Sequence, residues 1–160
     1  MYTTRIDIPA SDREKLASLL NARLADLADL QTQAKQAHWN VKGPAFIALH
    51  ELFDSIADAV EDYVDLVAER VTILGGVARG TARMAAASST LPAYPADAVE
   101  GRAHVDALAT AVATAGKHVR AAIGAAGAIG DADTEDLFTE VSRGLDKHLW
   151  FLEAHLQSDG

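Results

Sequence analysis

Long segments without proline, and with few or no glycines, are the feature that most limits how this chain folds. The breaks fall at Pro9, at the Lys-Gly-Pro of 42–44, at Gly75-Gly76, within 80–95 and at 127–131. Between these breaks, apolar residues recur every three to four positions, which is the period of an amphipathic helix. On the first segment they form the stripe Leu16, Leu20, Leu24, Leu27 and Ala34.

Four long helices and one short helix are predicted from these breaks. Helix A begins at Ser11, where Ser11 and Glu14 match a capping box, and continues to His38. The other elements are helix B from Pro44 to Leu74, a short helix in 81–88, helix C from Ala96 to Ala126 and helix D from Asp133 to Leu156. Because the B–C connection is long and helical, the pattern predicts an all-α four-helix bundle that resembles ferritin-like folds, with a short extra helix in the crossover. One domain is expected over 1–160, with a short N-terminal extension at 1–10.

Composition narrows the function. The sequence has no cysteine, which excludes disulfides and thiolate metal sites and agrees with a reducing cytoplasm. No signal peptide and no membrane span are expected, because no apolar run reaches about 18 residues. The net charge of −9 disfavours a general nucleic-acid binder and favours a protein that attracts cations. The expected location is cytoplasmic, and association with the nucleoid stays open.

Two potential metal-binding pairs lie on one side of helix B. His50 and Asp54 are four residues apart, and so are Asp65 and Glu69. At about 100° per residue, the step from Asp54 to Asp65 returns to nearly the same side of the helix, but it rises about 16 Å along the axis. A metal–ligand bond is only about 2 Å long. The two pairs therefore cannot bind one ion within a single chain.

A two-fold axis brings the pairs together. If two copies of helix B run antiparallel, residue i faces residue j where i + j is constant. His50 with Glu69 and Asp54 with Asp65 both sum to 119, so each pair of one chain faces the other pair of its mate, as at an isologous dimer interface. His38, at the end of helix A, adds a second imidazole. Two imidazoles and three carboxylates suit ferrous iron, manganese or zinc, and an open, oxygen-rich site favours iron redox chemistry over structural zinc.

Other interpretations stay open on spacing alone. His38 by itself could be a hydrogen-bonded core histidine, and Asp65 with Glu69 could form a solvated face screened by Arg70. The remaining histidines have no matching partner spacing. They are interpreted as surface or packing residues, with an accessory metal site as the alternative: His104, His118, His148 and His155.

Four segments resemble the Dps family of mini-ferritins. They are "QAHWNVKGPAFIALHELFD", "LVAERVTILGG", "YPAD" and "LDKHLWFLE", and the similarity extends from about Leu19 to Glu153. The combination of His-Trp-Asn, His-x-x-x-Asp and Asp-x-x-x-Glu is specific. Ordinary di-iron bundles instead use Glu-x-x-His within each chain, and that pattern does not occur in this sequence.

The resemblance implies a ferroxidase. It implies a dodecameric shell built from two-fold dimers that binds Fe²⁺ between subunits, oxidises it with hydrogen peroxide or oxygen, and stores ferric mineral inside. His38, His50 and Asp54 match the ligands of one subunit, and Asp65 and Glu69 match those of its dyad mate. Zinc or manganese could take the same site.

The resemblance also implies roles for residues outside the ligand set. Trp39, beside His38, would lie near the site and quench stray radicals, or it would anchor the dimer interface. Acidic residues at the start of helix D would line three-fold pores; the best positional match is Asp136, followed by Asp131, Asp133 and Glu140. The alternative is that these acids only stabilise the helix, because negative charge is favourable near its N-terminus.

Direct DNA binding is disfavoured. Many relatives bind DNA through a lysine-rich N-terminal arm, whereas Arg5 is here the sole basic residue before Arg13, and 156–160 is short and acidic. An electrostatic DNA contact needs several basic groups. DNA would then be protected indirectly, by removal of iron and peroxide. The alternative function is a DNA-coating structural protein with a weak or zinc-occupied metal site.

Overall fold

Five helices make up the fold in the computed structural model, which describes residues 1–157. The last three residues of the acidic C-terminal segment noted above lie outside this range. The predicted all-α bundle with an extra crossover helix is confirmed, and the one β feature among the described residues is a single bridge between Lys42 and Glu100. The helices are α1 (Ala10–Asn40), α2 (Phe46–Ile73), α3 (Ala82–Ser88), α4 (Gly101–Ile129) and α5 (Ala132–Ala154).

The core lies between two helical hairpins. α1 packs along α2, and α4 packs along α5, while α1 also contacts α4 and α2 contacts α5. The largest buried side chains include Phe53 from α2 and Phe138 from α5. The apolar stripe predicted for the first helix is confirmed as core, because each of its members is fully buried: Leu16, Leu20, Leu24, Leu27 and Ala34.

None of the helices within residues 1–157 combines the length and the apolar character that crossing a membrane demands.

The start of α1 differs from the prediction. The capping box at Ser11 and Glu14 does not form, because the helix already begins at Ala10 and Pro9 is the N-cap. The Pro9 carbonyl accepts the amide protons of Asp12 and Arg13, both at 3.0 Å. Ser11 therefore lies inside the first turn, where its hydroxyl is in the wrong place to cap the helix.

The ends of α2 follow its flanking glycines. The helix begins at Phe46, two residues after the predicted Pro44, and ends at Ile73, where the glycine pair was expected to stop it. Gly75 has a φ of +83°, and a Cβ there would lie 2.6 Å from the Tyr2 carbonyl oxygen. Only glycine fits this left-handed turn, into which the N-terminal segment packs.

The start of α4 was predicted five residues too early. Helix C was expected from Ala96, but residues 95–98 form a turn and the helix begins only after Glu100, because the Lys42 amide donates to the Val99 carbonyl at 3.1 Å and holds that segment against the α1–α2 turn. At Gly101, where α4 begins, a Cβ would lie only 2.4 Å from Cδ1 of Leu49. The predicted end at Ala126 is also wrong.

The break before α5 is shorter than predicted. α4 continues through Gly127 to Ile129 and ends where Gly130 adopts a φ of +92°. α5 begins at Ala132, one residue before the predicted Asp133, and ends at Ala154 rather than Leu156. A glycine inside a helix weakens it but does not stop it unless the backbone needs a positive φ.

The crossover is held against α1 by a buried carboxylate. Asp26, which is 1% exposed, accepts hydrogen bonds from the Thr90 amide at 2.8 Å and from the Thr90 hydroxyl at 3.0 Å. It also pairs with Arg23 at 2.9 Å and with His118 Nδ1 at 3.3 Å. These bonds satisfy the carboxylate inside the protein and position the segment that follows α3.

Candidate metal centre

His38 and His50 lie side by side where α1 ends and α2 begins. Their rings stack with centroids 3.7 Å apart and an interplanar angle of 21°. Each Nδ1 lies 2.8 Å from the backbone carbonyl oxygen of the other residue. Because a carbonyl can only accept, each Nδ1 carries the proton and each Nε2 keeps a free lone pair. This is the tautomer and the backbone support that metal-binding histidines require.

Asp54 lies one turn after His50 and is held by a lysine. Its Oδ1 is 3.6 Å from His38 Nδ1 and forms a direct ion pair with Lys35. The hydrogen bond from Lys35 lowers the pKa of Asp54, and the same bond raises the pKa of Lys35. Asp58 lies 3.8 Å from the same ammonium group. The Asp54 carboxylate is therefore ionised, but it is already paired with the Lys35 ammonium group.

Asp65 and Glu69 are exposed at the far end of α2. Eleven helical residues separate Asp65 from Asp54, a rise of about 16 Å. Within residues 1–157 no three histidine, aspartate or glutamate side chains of one chain converge on a metal position. One protomer therefore places His38 and His50 side by side, with Asp54 nearby but paired to Lys35, and leaves the other two acids apart. That they meet across a dyad stays a prediction.

Lys35 was missed by the sequence reasoning, although a signal was available. It lies three residues before His38 on α1, so both side chains share one face of the helix. Trp39 next to them is 69% exposed. It lines a cavity together with Lys35 and Tyr94, so its ring is free to contact a second subunit or the centre itself.

The acids at the start of α5 fall into two groups. Asp131 is 5% exposed, and both its oxygens accept from Arg70 Nη2 at 2.8 Å. Burial alone would raise the pKa of Asp131, but the hydrogen bonds from Thr134 and Arg70 outweigh it and lower the pKa. Asp131 is thus committed to an internal ion pair. The acids left for a pore are exposed: Asp133, Asp136 and Glu140.

The four remaining histidines divide between packing and surface positions. His104 and His148 are buried, and burial lowers the pKa of both. His118 contacts Asp26, and the exposed His155 bonds back to the Phe151 carbonyl at 2.8 Å. None of them joins the candidate metal centre, as the sequence suggested.

The class of protein follows from comparison with known families. Residues 17–159 match the family model described as a ferritin-like domain. A solved structure from Vibrio cholerae, described as a Dps protein and a member of a broad superfamily of ferritin-like diiron-carboxylate proteins, superposes with a TM-score of 0.91 at 26% identity, covering 98% of both chains. The bundle is thus ferritin-like.

Closer relatives define the family. The DNA protection during starvation protein of Agrobacterium fabrum is 42% identical over 156 residues, which are 98% of this chain and 96% of that protein. DpsA14 from Streptomyces coelicolor superposes with a TM-score of 0.92 at 40% identity, covering 99% of this chain and 94% of that structure. The chain belongs to the Dps family of ferritin-like proteins.

Proposed function

We propose that this protein is a ferroxidase and iron-storage protein whose catalytic centre is completed by a second copy of the chain. The observation that carries the proposal is the reciprocal pairing of His38 and His50, which leaves both Nε2 atoms free to bind a cation. Nitrogen and oxygen donors without sulfur suit ferrous iron, with zinc or manganese as competitors.

The positions along α2 support a two-fold arrangement. The ligand pairs share the sum 119, and so do Phe46 and Ile73, which are 40% and 49% exposed. In an antiparallel pair of α2 helices these apolar side chains flank the ligands and cover each other. Large apolar side chains exposed at both ends of one helix are typical of an interface between copies. We infer a dimer of this form as the unit of a dodecameric shell.

The side chains supply charge and position in the proposed reaction. His38 and His50 bind Fe²⁺ as neutral ligands, and Asp54 joins them once Lys35 moves away. Asp65 and Glu69 of the partner subunit complete the set. Carboxylates stabilise Fe³⁺ more than Fe²⁺, because the oxidised ion carries more charge, and this favours electron loss.

Hydrogen peroxide is the proposed oxidant. One peroxide takes two electrons, one from each of two Fe²⁺ ions, and with two protons yields two water molecules. Pairing the electrons in this way limits release of hydroxyl radical, so DNA would be protected by removal of both iron and peroxide. The alternative, a DNA-coating protein, predicts a gel shift at physiological salt without any acceleration of iron oxidation.

Iron entry is assigned to the exposed acids of α5. Twelve chains at −9 each carry about −108, a field that concentrates cations. Asp136→Asn should slow Fe²⁺ oxidation at low iron, where entry into the shell limits the rate, and leave the rate at saturating iron nearly unchanged. Stopped-flow absorbance at several iron concentrations separates the two effects, and Asp97→Asn in the crossover serves as the charge-matched control.

Mixing two inactive variants tests the shared centre. His50→Ala and Asp65→Ala should each lose most fast Fe²⁺ oxidation. A heterodimer of the two variants keeps one intact centre out of two. Because random pairing makes half of all dimers heterodimers, roughly a quarter of the centres should regain activity. Each variant is also dissociated and reassembled alone as a control. If heterodimers form and no activity returns, the centre is not shared.

A further inference from the structure

Tyr94 and His104 form a hydrogen-bonded pair that the proposed reaction does not use. Tyr94 lies in the crossover before α4, and His104 lies in the first turn of α4. The Tyr94 hydroxyl is directly hydrogen-bonded to His104 Nδ1, with the ring centroids 6.0 Å apart. His104 is 1% exposed and packs against Phe53 at 6.3 Å between ring centroids. A tyrosine is thus coupled to a base that water does not reach.

The protonation states make the histidine a proton acceptor. Burial lowers the pKa of His104, although the nearby carbonyls of Val99 and Asn40 act in the opposite direction. Burial also raises the pKa of Tyr94 to about 12. Near neutral pH the phenol therefore keeps its proton and the imidazole is neutral. Among residues 1–157, His104 Nε2 has no hydrogen-bond partner of ordinary geometry, and the Tyr94 hydroxyl is the one side chain hydrogen-bonded to this ring.

Tyr94 shares a cavity with two residues that adjoin the candidate ligands in sequence or by contact. Tyr94 lines the same cavity as Trp39 and Lys35, a space of about 620 Å³. Trp39 follows the ligand His38 in sequence, and Lys35 contacts the ligand Asp54. One cavity therefore connects an aromatic side chain next to the metal ligands with the phenol of Tyr94.

We propose that Tyr94 and His104 are a redox-active pair that takes up single oxidising equivalents escaping from the metal centre. The proposal rests on the proposed function, which supplies Fe²⁺ and peroxide. When one Fe²⁺ alone reduces peroxide, the products are Fe³⁺, hydroxide and a hydroxyl radical. That radical takes one electron, passed from Tyr94 through Trp39, and becomes hydroxide.

The proton and the electron of Tyr94 go to different acceptors, the proton to His104 and the electron to Trp39. As the electron leaves, the phenolic O–H bond breaks and its proton moves to His104 Nδ1, which gives a neutral tyrosyl radical and an imidazolium. Without a base at hydrogen-bond distance, the electron would have to leave behind a cationic phenol. A further Fe²⁺ reverses the step: it donates an electron, His104 returns the proton, and Fe³⁺ is the product.

Freeze-quench electron paramagnetic resonance on the assembled protein tests the pair. After mixing with Fe²⁺ and peroxide, a tyrosyl signal is expected in the wild type and should fall at least tenfold in Tyr94→Phe. Tyr63→Phe is the matched control, because Tyr63 is also half-buried but its hydroxyl faces Gly144 rather than an imidazole. Iron oxidation, followed in the same samples, should be unchanged in both variants. Equal signals in the wild type and Tyr94→Phe would overturn the proposal and leave the ferroxidase proposal intact.

A second oxidant separates failure of the pair from failure of the ferroxidase. Metal-free protein is oxidised with a flash-generated ruthenium(III) complex, so no iron chemistry is needed. Tyr94 should be oxidised more slowly in D₂O, because its proton moves with the electron, and His104→Gln should lower the radical yield several-fold while keeping a hydrogen-bond acceptor. The proposal would be overturned if the D₂O effect and the radical yield were the same in His104→Gln as in the wild type. The proposal would also be overturned if His104→Gln lowered the melting temperature but left the radical yield and the isotope effect unchanged.

Discussion

The buried pair between Arg70 and Asp131 gives the sharpest stability prediction. The Arg70 side chain is 11% exposed and that of Asp131 is 5% exposed, and the guanidinium also donates to the Thr134 hydroxyl at 3.0 Å. Asp131→Ala leaves the buried guanidinium with only the exposed Asp133 carboxylate, 3.6 Å from Nη1, as a counter-charge. Breaking such a pair from one side costs about 3–5 kcal/mol. The pair also joins the last turn of α2, which carries Glu69, to the start of α5.

The chain contains a natural control for this substitution. Arg120 and Asp146 form a similar two-point pair, at 2.9 and 3.1 Å, but their side chains are 56% and 49% exposed. Asp146→Ala should cost less than about 1 kcal/mol, because solvent screens the charges. Urea unfolding at one fixed protein concentration compares the two variants, since urea is uncharged and assembly adds to apparent stability.

Two outcomes would refute the reasoning. The first is Asp131→Ala costing no more than Asp146→Ala. The second concerns the double variant Arg70→Met with Asp131→Leu, which removes both charges and should recover most of the loss. If the double variant is as unstable as Asp131→Ala alone, the cost comes from packing and not from an unpaired charge.

The same pair makes stability depend on pH. The pKa of Asp131 is lower in the folded protein than its ordinary value of 3.8. A lowered carboxyl pKa contributes stability above the unfolded-state pKa, and this is lost as pH falls through the folded-state pKa. Urea midpoints should therefore drop more steeply below about pH 4 in the wild type than in Asp131→Asn. Parallel curves for the two proteins would contradict this assignment.

The remaining predictions concern the metal centre and two glycines. Lys35→Gln frees Asp54 and should tighten Fe²⁺ binding by up to about fivefold in titration calorimetry without oxygen, the size expected for a partly exposed ion pair. Unchanged affinity would refute the competition. Gly144→Ala should destabilise the protein, because a Cβ there would lie 1.8 Å from the Tyr63 hydroxyl oxygen. Gly124→Ala, with no atom within 4 Å of its Cβ, should stabilise α4 by about 0.5–1 kcal/mol in thermal melts.

Much of the fold was predictable from local sequence. Hydrophobic periodicity located all four long helices and Gly75 ended α2 as expected, because these signals act within a few residues. The α4 boundary was not predictable in this way. The segment before Gly101 has helical composition, but a turn at 95–98 and the bridge from Lys42 to Glu100 keep it out of the helix. Contacts with residues some 50 positions away in the chain decided it.

The ligand candidates could also be predicted from local sequence, whereas the contacts around them could not. The i, i+4 spacing that singled out His50 and Asp54 is a property of one helix. That Lys35 occupies Asp54, or that Asp131 is consumed by Arg70 instead of facing solvent, depends on how α1 packs on α2 and α2 on α5. Charged side chains select partners in three dimensions.

By itself, the sequence determined that this chain forms a helical bundle and that one helix carries two half-sets of candidate metal ligands, because helical period and rise follow from local geometry. The tertiary structure decided the chemical state of those ligands. It turned both histidines so that Nδ1 meets a carbonyl and Nε2 stays free, it placed a lysine on Asp54, and it joined Tyr94 to a buried imidazole. Hydrogen bonds and burial between distant segments set protonation, and no local pattern encodes them.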